Sequence, residues 1–170
     1  MEKDSGFDAR AVANELLDLG DRLSIRLSNL HLQKVIFFSH ANYLKSFGRE
    51  LILNKFEAWE HGPVVSELYH SLKESGDSPV TGRATRFDFH KKQFVEVRDS
   101  FSLAASTFLE EMLRFYGRMD PWRLVMLSHR KGGAWDQTIE QAEKRANFAL
   151  QIKPEIITAC LTRDCGVNLQ

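Results

Sequence analysis

Residues 27–76 read LSNLHLQKVIFFSHANYLKSFGRELILNKFEAWEHGPVVSELYHSLKESG, and the first half of this stretch decides the fold. Ser28 can cap a helix with its hydroxyl and Gly48 can end one, so the spacing predicts a single helix over residues 28–47. At about 100° per residue, its apolar side chains cover more than half of the circumference. Leu30, Leu32, Ile36, Phe37, Ala41, Tyr43, Leu44 and Phe47 fall on one broad arc, with Val35 and Phe38 outside it. A helix this apolar has to be wrapped by others, which makes it the expected centre of the molecule.

Gln33 and His40 project into the middle of that arc. An unpaired buried polar group costs roughly 1–3 kcal/mol, so each needs a partner. Two roles fit them: a hydrogen-bonded core network that fixes helix packing, or the floor of a small pocket with a titratable His40.

The second half of the stretch supplies a junction. Phe56-Glu57-Ala58-Trp59 suits a short extended segment, and Gly62-Pro63 is expected to start a helix with Pro63 at its first position. Val64, Leu68 and Leu72 would line its inner face, with Val65 and Tyr69 beside them and Gly76 as the stop. Ser66, His70 and Lys73 would then point outward, flanked by Glu67 and Glu74.

The order and spacing of Leu32-Gln33-Lys34, Phe38, His40, Ala58-Trp59, Gly62-Pro63-Val64-Val65 and Leu68-Tyr69 resemble the Panacea domain of the SocA-like antitoxin group, also described as phage-associated proteins. On this resemblance Gln33, Lys34, His40, Trp59, His61, Gly62, Pro63, Tyr69 and Trp135 are family-motif or structural positions. The resemblance implies an antitoxin with a cognate toxin protein as partner. It also implies a possible second partner, an ATP-dependent protease to which such an antitoxin delivers its toxin.

At 170 residues the chain is long enough for one domain with its own core, without metal or disulfide support. Lys plus Arg and Asp plus Glu number 23 each, a neutral balance that argues against an extended nucleic-acid footprint. It also suggests limited colloidal stability unless a partner covers part of the surface. Cys160 and Cys165 are too sparse for a disulfide scaffold or a zinc site, so both are expected as reduced thiols. The opening MEKDSGFDAR lacks an apolar secretion core, and no apolar run approaches the ~20 residues that span a bilayer. A cytoplasmic protein is expected, with no membrane segment, metal or cofactor.

Met1 to Gly6 reads as a frayed leader, followed by Phe7 as a staple and Asp8 as N-cap of a helix from Ala9 to Leu19 that Gly20 ends. The run Phe7-Asp8-Ala9-Arg10-Ala11-Val12-Ala13-Asn14 is similar to the usual start of Panacea domains. Beyond the turn Asp77-Ser78-Pro79, residues 83–97 alternate like strands. Phe87 and Phe89 share one side of the first run, Val95 and Val97 one side of the second, and His90-Lys91-Lys92-Gln93 can turn between them. Arg83, Arg86, Lys91 and Lys92 make this hairpin basic, which fits a solvated edge, a nucleic-acid wing or a partner-binding surface.

Ser102 to Tyr116 returns to helical spacing, with Leu103, Phe108, Leu109, Met112, Leu113 and Phe115 apolar and Gly117 as the stop. Asp120-Pro121 opens a short helix to about His129. Tyr116-Gly117, Leu124, Ser128-His129 and Ala134-Trp135 resemble the C-terminal Panacea pattern, in which a short helix leads to a small loop and a buried tryptophan. Residues 142–150 are expected to be helical or turn-rich, and Lys153-Pro154-Glu155 opens a last helix to Leu161. The resemblance is strongest over residues 7–141, and residues 142–170 form a C-terminal helical extension of a single domain, 1–170.

None of the six histidines has metal-ligand spacing, and no nucleophile elbow, phosphate loop or dinucleotide fingerprint occurs. Arg130-Lys131-Gly132-Gly133 fits a plain turn or an anion-docking loop. Glu57, Glu60 and His61 cluster near Trp59 without a nucleophile or metal beside them, so no catalytic residue is assigned. Trp59 and Trp135 fit core anchors with bonded indole N–H groups, and His61 a residue that positions the turn. The alternative is that the aromatic residues at this junction form part of a partner-binding groove. The resulting expectation is a mainly α, single-domain helical bundle around a buried central helix, with a small β-hairpin, acting as a non-enzymatic antitoxin. Partner contacts are expected at Arg83, Arg86, Lys91, Lys92, Ser66, His70 and Lys73. A DNA-binding or phage-associated regulator is the alternative, and a hydrolase a further one.

Overall fold

In the computed structural model, which describes residues 3–145 and 150–161, the chain runs α1 (Ala9–Leu23), α2 (Asn29–Phe47), β1 (Phe56–Trp59), β2 (Gly62–Val64) and α3 (Ser66–Leu72). It continues through β3 (Thr85–Asp88), β4 (Gln93–Glu96), α4 (Leu103–Tyr116), α5 (Pro121–Ser128), α6 (Ala134–Arg145), β5 (Gln151–Ile152) and α7 (Pro154–Leu161). The fold is mainly α with small antiparallel β elements, as the sequence indicates. Among the described residues no helix is long and apolar enough to cross a membrane.

The central helix forms where its caps place it. Ser28 Oγ accepts from His31 N–H at 3.3 Å, and Gly48 closes the far end at φ 63°. Helices α1, α3, α4, α5 and α7 and strand β2 all pack on α2, so burial extends right round its middle. Val35 and Phe38 are therefore in the core although they fall outside the sequence arc. Phe47 is exposed and Leu30 and Leu44 are half-buried, because the ends of the helix emerge from its neighbours.

Four expectations need correction. Residues 3–7 are docked, not frayed: Lys3 N–H donates to Ser100 O at 2.7 Å, Gly6 N–H to Glu50 O at 2.9 Å, and the Tyr43 hydroxyl to Asp4 O. Gly20 does not end α1, which runs on to Leu23. Its missing side chain instead admits the returning chain, since a Cβ there would lie 2.6 Å from Ile25 O, while Ile25 N–H donates to Gly20 O at 2.9 Å. Gly62-Pro63 does not begin a helix either. It belongs to β2, whose register with β1 is Glu57↔Val64, Ala58↔Pro63 and Trp59↔Gly62. Trp135, expected to be buried, is half-buried near the start of α6.

Pro63 is tolerated because β2 is an edge strand in the order β2-β1-β5, where a missing N–H leaves no central ladder bond unmade. The other edge is β5, with Phe56↔Ile152 and Glu57↔Gln151 in register and Ala58 N–H donating to Leu150 O at 2.6 Å. The part of residues 142–150 described as structure is the end of α6 and Leu150; residues 146–149, like Cys165, lie outside the described residues. The remaining terminal helices match expectation, α4 capped by Ser102, α5 by Asp120, and α7 opened by Pro154.

The hairpin β3–β4 pairs Thr85↔Glu96, Arg86↔Val95, Phe87↔Phe94 and Asp88↔Gln93, so residues 89–92 make the turn and Gln93 belongs to the strand. Its base is clamped by Asn14 of α1, fully buried: Nδ2 donates to Ala84 O at 2.9 Å and Val97 O at 2.8 Å, and Oδ1 accepts from Ala84 N–H at 2.7 Å. Ser71 at the end of α3 bonds both backbone groups of Thr85.

Candidate functional site

The family-motif residues converge on the two-residue turn between β1 and β2. Glu60 and His61 form its tip, and Gly62 follows at φ 96°, a backbone region that disfavours any side chain. Close packing adds a second reason for glycine, because a Cβ there would lie 2.3 Å from Ser128 Oγ and 3.0 Å from Lys34 Cε. Ser128 is buried at the end of α5 with its hydroxyl donating to Val125 O at 2.7 Å. The neighbouring His129 ring bridges α5 and the turn, with Nδ1 2.7 Å from Val125 O and Nε2 3.0 Å from Glu60 O. A neutral imidazole donates to one such carbonyl at a time, a doubly protonated ring to both. Trp135 stacks edge-on to His129 at 3.9 Å between centroids and donates its indole N–H to Trp59 O at 2.7 Å.

Beneath this turn lies Lys34. Its side chain is fully buried, and Nζ donates to Pro63 O at 2.9 Å. Among the described residues no carboxylate lies within ion-pair distance of it. Burial without a counter-charge pushes the amine down from 10.5 to about 7. Sequence reading gives Lys34 no more than a motif role, since nothing local marks a lysine for full burial.

Gln33 and His40 take the core-network role. Gln33 Oε1 accepts from Val65 N–H at 2.9 Å, and Asn29 Nδ2 donates to Tyr69 O at 3.1 Å. Val65 is the N-cap of α3 and supplies no capping side chain of its own. That helix start is instead satisfied from α2, a long-range cap with no local sequence signal. His40 Nδ1 accepts from Ile52 N–H at 3.3 Å, and its ring meets Phe56 edge-on at 5.3 Å. Burial holds it far below its usual range, at about 4.

Both Lys34 and His40 disfavour their cations in the folded state, so the unfolded chain binds those protons more readily. Stability should therefore rise with pH, between about 4 and 6.5 on account of His40 and between about 7 and 10.5 on account of Lys34. Each site sets a slope of at most about 1.4 kcal/mol per pH unit. Urea midpoints of the wild type should climb across the upper window, and those of Lys34→Met should stay flat there. Parallel curves would show that Lys34 is not the titrating group.

Above the buried layer the surface is aromatic. Trp59 packs edge-on to Tyr69 at 5.0 Å and approaches His70 at 6.4 Å, and its indole donates to Glu57 Oε2 at 2.7 Å. That bond occupies the carboxylate which the sequence had grouped with His61. His61 itself lies edge-on to Trp122 at 5.2 Å. Trp122 and Met126, one turn apart on α5, are 55% and 69% exposed. Neither stands out in the sequence, where this segment is marked by its cap, its proline and the motif positions Leu124 and Ser128-His129.

Of the expected partner-binding residues, His70 and Lys73 are exposed and Ser66 half-buried. Arg86, Lys91 and Lys92 are exposed on the hairpin, and among the described residues none forms an ion pair. Arg83 is different: its guanidinium lies 2.7 Å from Asp18 and 2.6 Å from Asp21, tying the hairpin base to α1.

A family model for the SocA-like antitoxin, Panacea domain, matches residues 32–136. Antitoxin SocA of Caulobacter vibrioides (strain NA1000 / CB15N) is 35% identical over 150 residues, covering 88% of this chain and 80% of that protein. No solved structure gives a significant match. The matched span runs from the start of the Lys34 layer to the tryptophan that bonds Trp59 O.

Proposed function

The chain belongs to the SocA-like Panacea antitoxin family, and on that premise we propose that it binds and neutralises a cognate protein toxin without catalysis of its own. The observation that carries this reading is the exposed set Tyr69, Trp122 and Met126 with the half-buried Trp59, held over a buried, hydrogen-bonded support. Tryptophan, tyrosine and methionine of this kind are enriched at the centres of protein interfaces. His70, Lys73 and Ser66 on α3 adjoin that surface, and Arg86, Lys91 and Lys92 are further exposed cations on the hairpin. Delivery of the bound toxin to an ATP-dependent protease is the finer form of the reading, supported by the family resemblance. We also take residues 1–170 as one domain, a reading supported by the packing of α7 on α2 and of β5 on β1, and place it in the cytoplasm on the family resemblance.

A nucleic-acid wing is the weaker reading of the hairpin, because Arg83 is committed to Asp18 and Asp21 and the outer face carries phenylalanines. Co-expression with the product of an adjacent gene, the expected toxin, tests the proposal. Wild type should restore growth, and Trp122→Ala with Met126→Ala should lose rescue, its binding weakened about 30-fold or more, while its melting temperature holds. Reversing Arg86, Lys91 and Lys92 together to Glu should slow association and reduce its salt dependence. Arg83 stays intact in that variant, since reversal would set a carboxylate against two others. Full rescue by the folded Trp122 and Met126 variant would remove this surface from the interface.

A further inference from the structure

The two apolar sides read from the hairpin sequence point in opposite directions. Val97 is buried and Val95 half-buried, so the face carrying Arg86↔Val95 is turned toward the body. The opposite face carries the cross-strand pair Phe87↔Phe94 with Phe89 beside it in the turn. Phe87 touches both other rings, Phe89 at 5.1 Å and Phe94 at 5.4 Å between centroids. They nevertheless remain 41%, 82% and 70% exposed for Phe87, Phe89 and Phe94 respectively.

Cross-strand aromatic pairing stabilises a hairpin by roughly 0.2–1 kcal/mol, which accounts for Phe87 and Phe94. It does not account for Phe89, which pairs across no strand and leaves most of its ring in water. Contiguous exposed apolar side chains on a narrow edge invite aggregation unless something covers them. This tip is also held in place. Asp88 Oδ1 accepts from His90 N–H at 2.9 Å and Lys91 N–H at 3.0 Å, fixing the turn, while Asn14, Ser71 and the Arg83 ion pairs fix the base. A rigid mount lowers the entropy lost when the rings are buried in a complex.

The charges beside the rings indicate what covers them. Lys91 and Lys92, in the turn that carries Phe89, are exposed and form no ion pair among the described residues, and residues 89–92 contain no acid. We propose that the phenylalanine face of the β3–β4 hairpin is an anchor that enters an apolar cleft on the cognate toxin, a cleft with an acidic rim that meets Lys91 and Lys92. This inference rests on the antitoxin reading above and names the chemistry of its partner.

The test compares wild type, Phe89→Ser, and Phe89→Ser with Phe94→Thr, each as the full chain, for binding the neighbouring-gene protein and for growth rescue. Thermal melts of the same samples establish folding. Phe89→Ser leaves the cross-strand pair intact, so it remains informative if the double variant melts early. The expected result is about 10-fold weaker binding for the single variant and about 100-fold for the double variant, with loss of rescue. Raising salt should slow wild-type association, and reversing Lys91 and Lys92 to Glu should flatten that response. Equal binding by wild type and folded Phe89→Ser would overturn the inference while leaving the antitoxin reading in place. Failure of wild type itself to bind or rescue would remove both. Two further results would overturn it: flotation of wild type, but not the variants, on phosphatidylglycerol vesicles with toxin binding unchanged, or loss of self-association alone in the variants.

Discussion

Replacing Phe37 with alanine should cost about 3–5 kcal/mol, close to the entire stability of a marginal domain. The ring lies on the buried middle of α2, edge-on to Phe56 of β1 at 5.2 Å and to Phe38 at 5.5 Å. Phe56 in turn packs on His40, so the void would open between the central helix and the middle strand of the sheet. Neither a helix axis nor a hydrogen-bonded strand can move in to fill it, which places this site at the costly end of the usual range. Urea unfolding monitored by far-ultraviolet dichroism reads the effect. A loss below about 1 kcal/mol would mean that Phe37 is not a core residue.

Gly62→Ala is the second large effect. Two costs combine: a non-glycine residue at φ 96°, roughly 1–3 kcal/mol, and a methyl forced against Ser128 Oγ and Lys34 Cε, roughly another 1–3 kcal/mol. The two can be separated in a double-mutant cycle. In a Ser128→Ala background the hydroxyl is gone, and the substitution should cost less by the overpacking share, while the backbone share remains. Equal costs in the two backgrounds would show that the turn does not press on α5. Because this turn supports the exposed aromatic surface, Gly62→Ala should also weaken toxin binding more than its loss of stability explains.

Much of this was legible in residues that act locally. The caps Ser28, Gly48, Asp8, Ser102 and Asp120 each sit within one turn of the backbone group they satisfy, so their helices could be placed from sequence. Errors arose where one local rule has two physical uses. A proline without an N–H suits the first turn of a helix and the outer edge of a sheet equally well, and only pairing with Ala58 decides between them. A glycine ends helices and also admits a neighbouring chain, as Gly20 does for Ile25. What stayed hidden was long-range: the cap that Gln33 provides for α3, the clamp that Asn14 provides for the hairpin, and the burial of Lys34. For the candidate surface, sequence found Trp59, His61, Tyr69 and His70. It passed over Trp122, Met126 and Phe94, because nothing local distinguishes an exposed aromatic residue from a buried one.

The three-stranded sheet has a consequence for how the protein emerges from the ribosome. Its middle strand is complete once Trp59 has been made, and β2 follows immediately on one side. The other side waits until Leu150, Gln151 and Ile152 leave the exit tunnel. Throughout that interval Ala58 N–H lacks the carbonyl it uses in the finished fold, and the edge beside Phe56 stands open to any extended strand nearby. A chain cut short before residue 150 carries that open edge permanently, even though every residue beneath the aromatic surface is already present. Translation thus places the closing strand of the sheet after the parts that it protects.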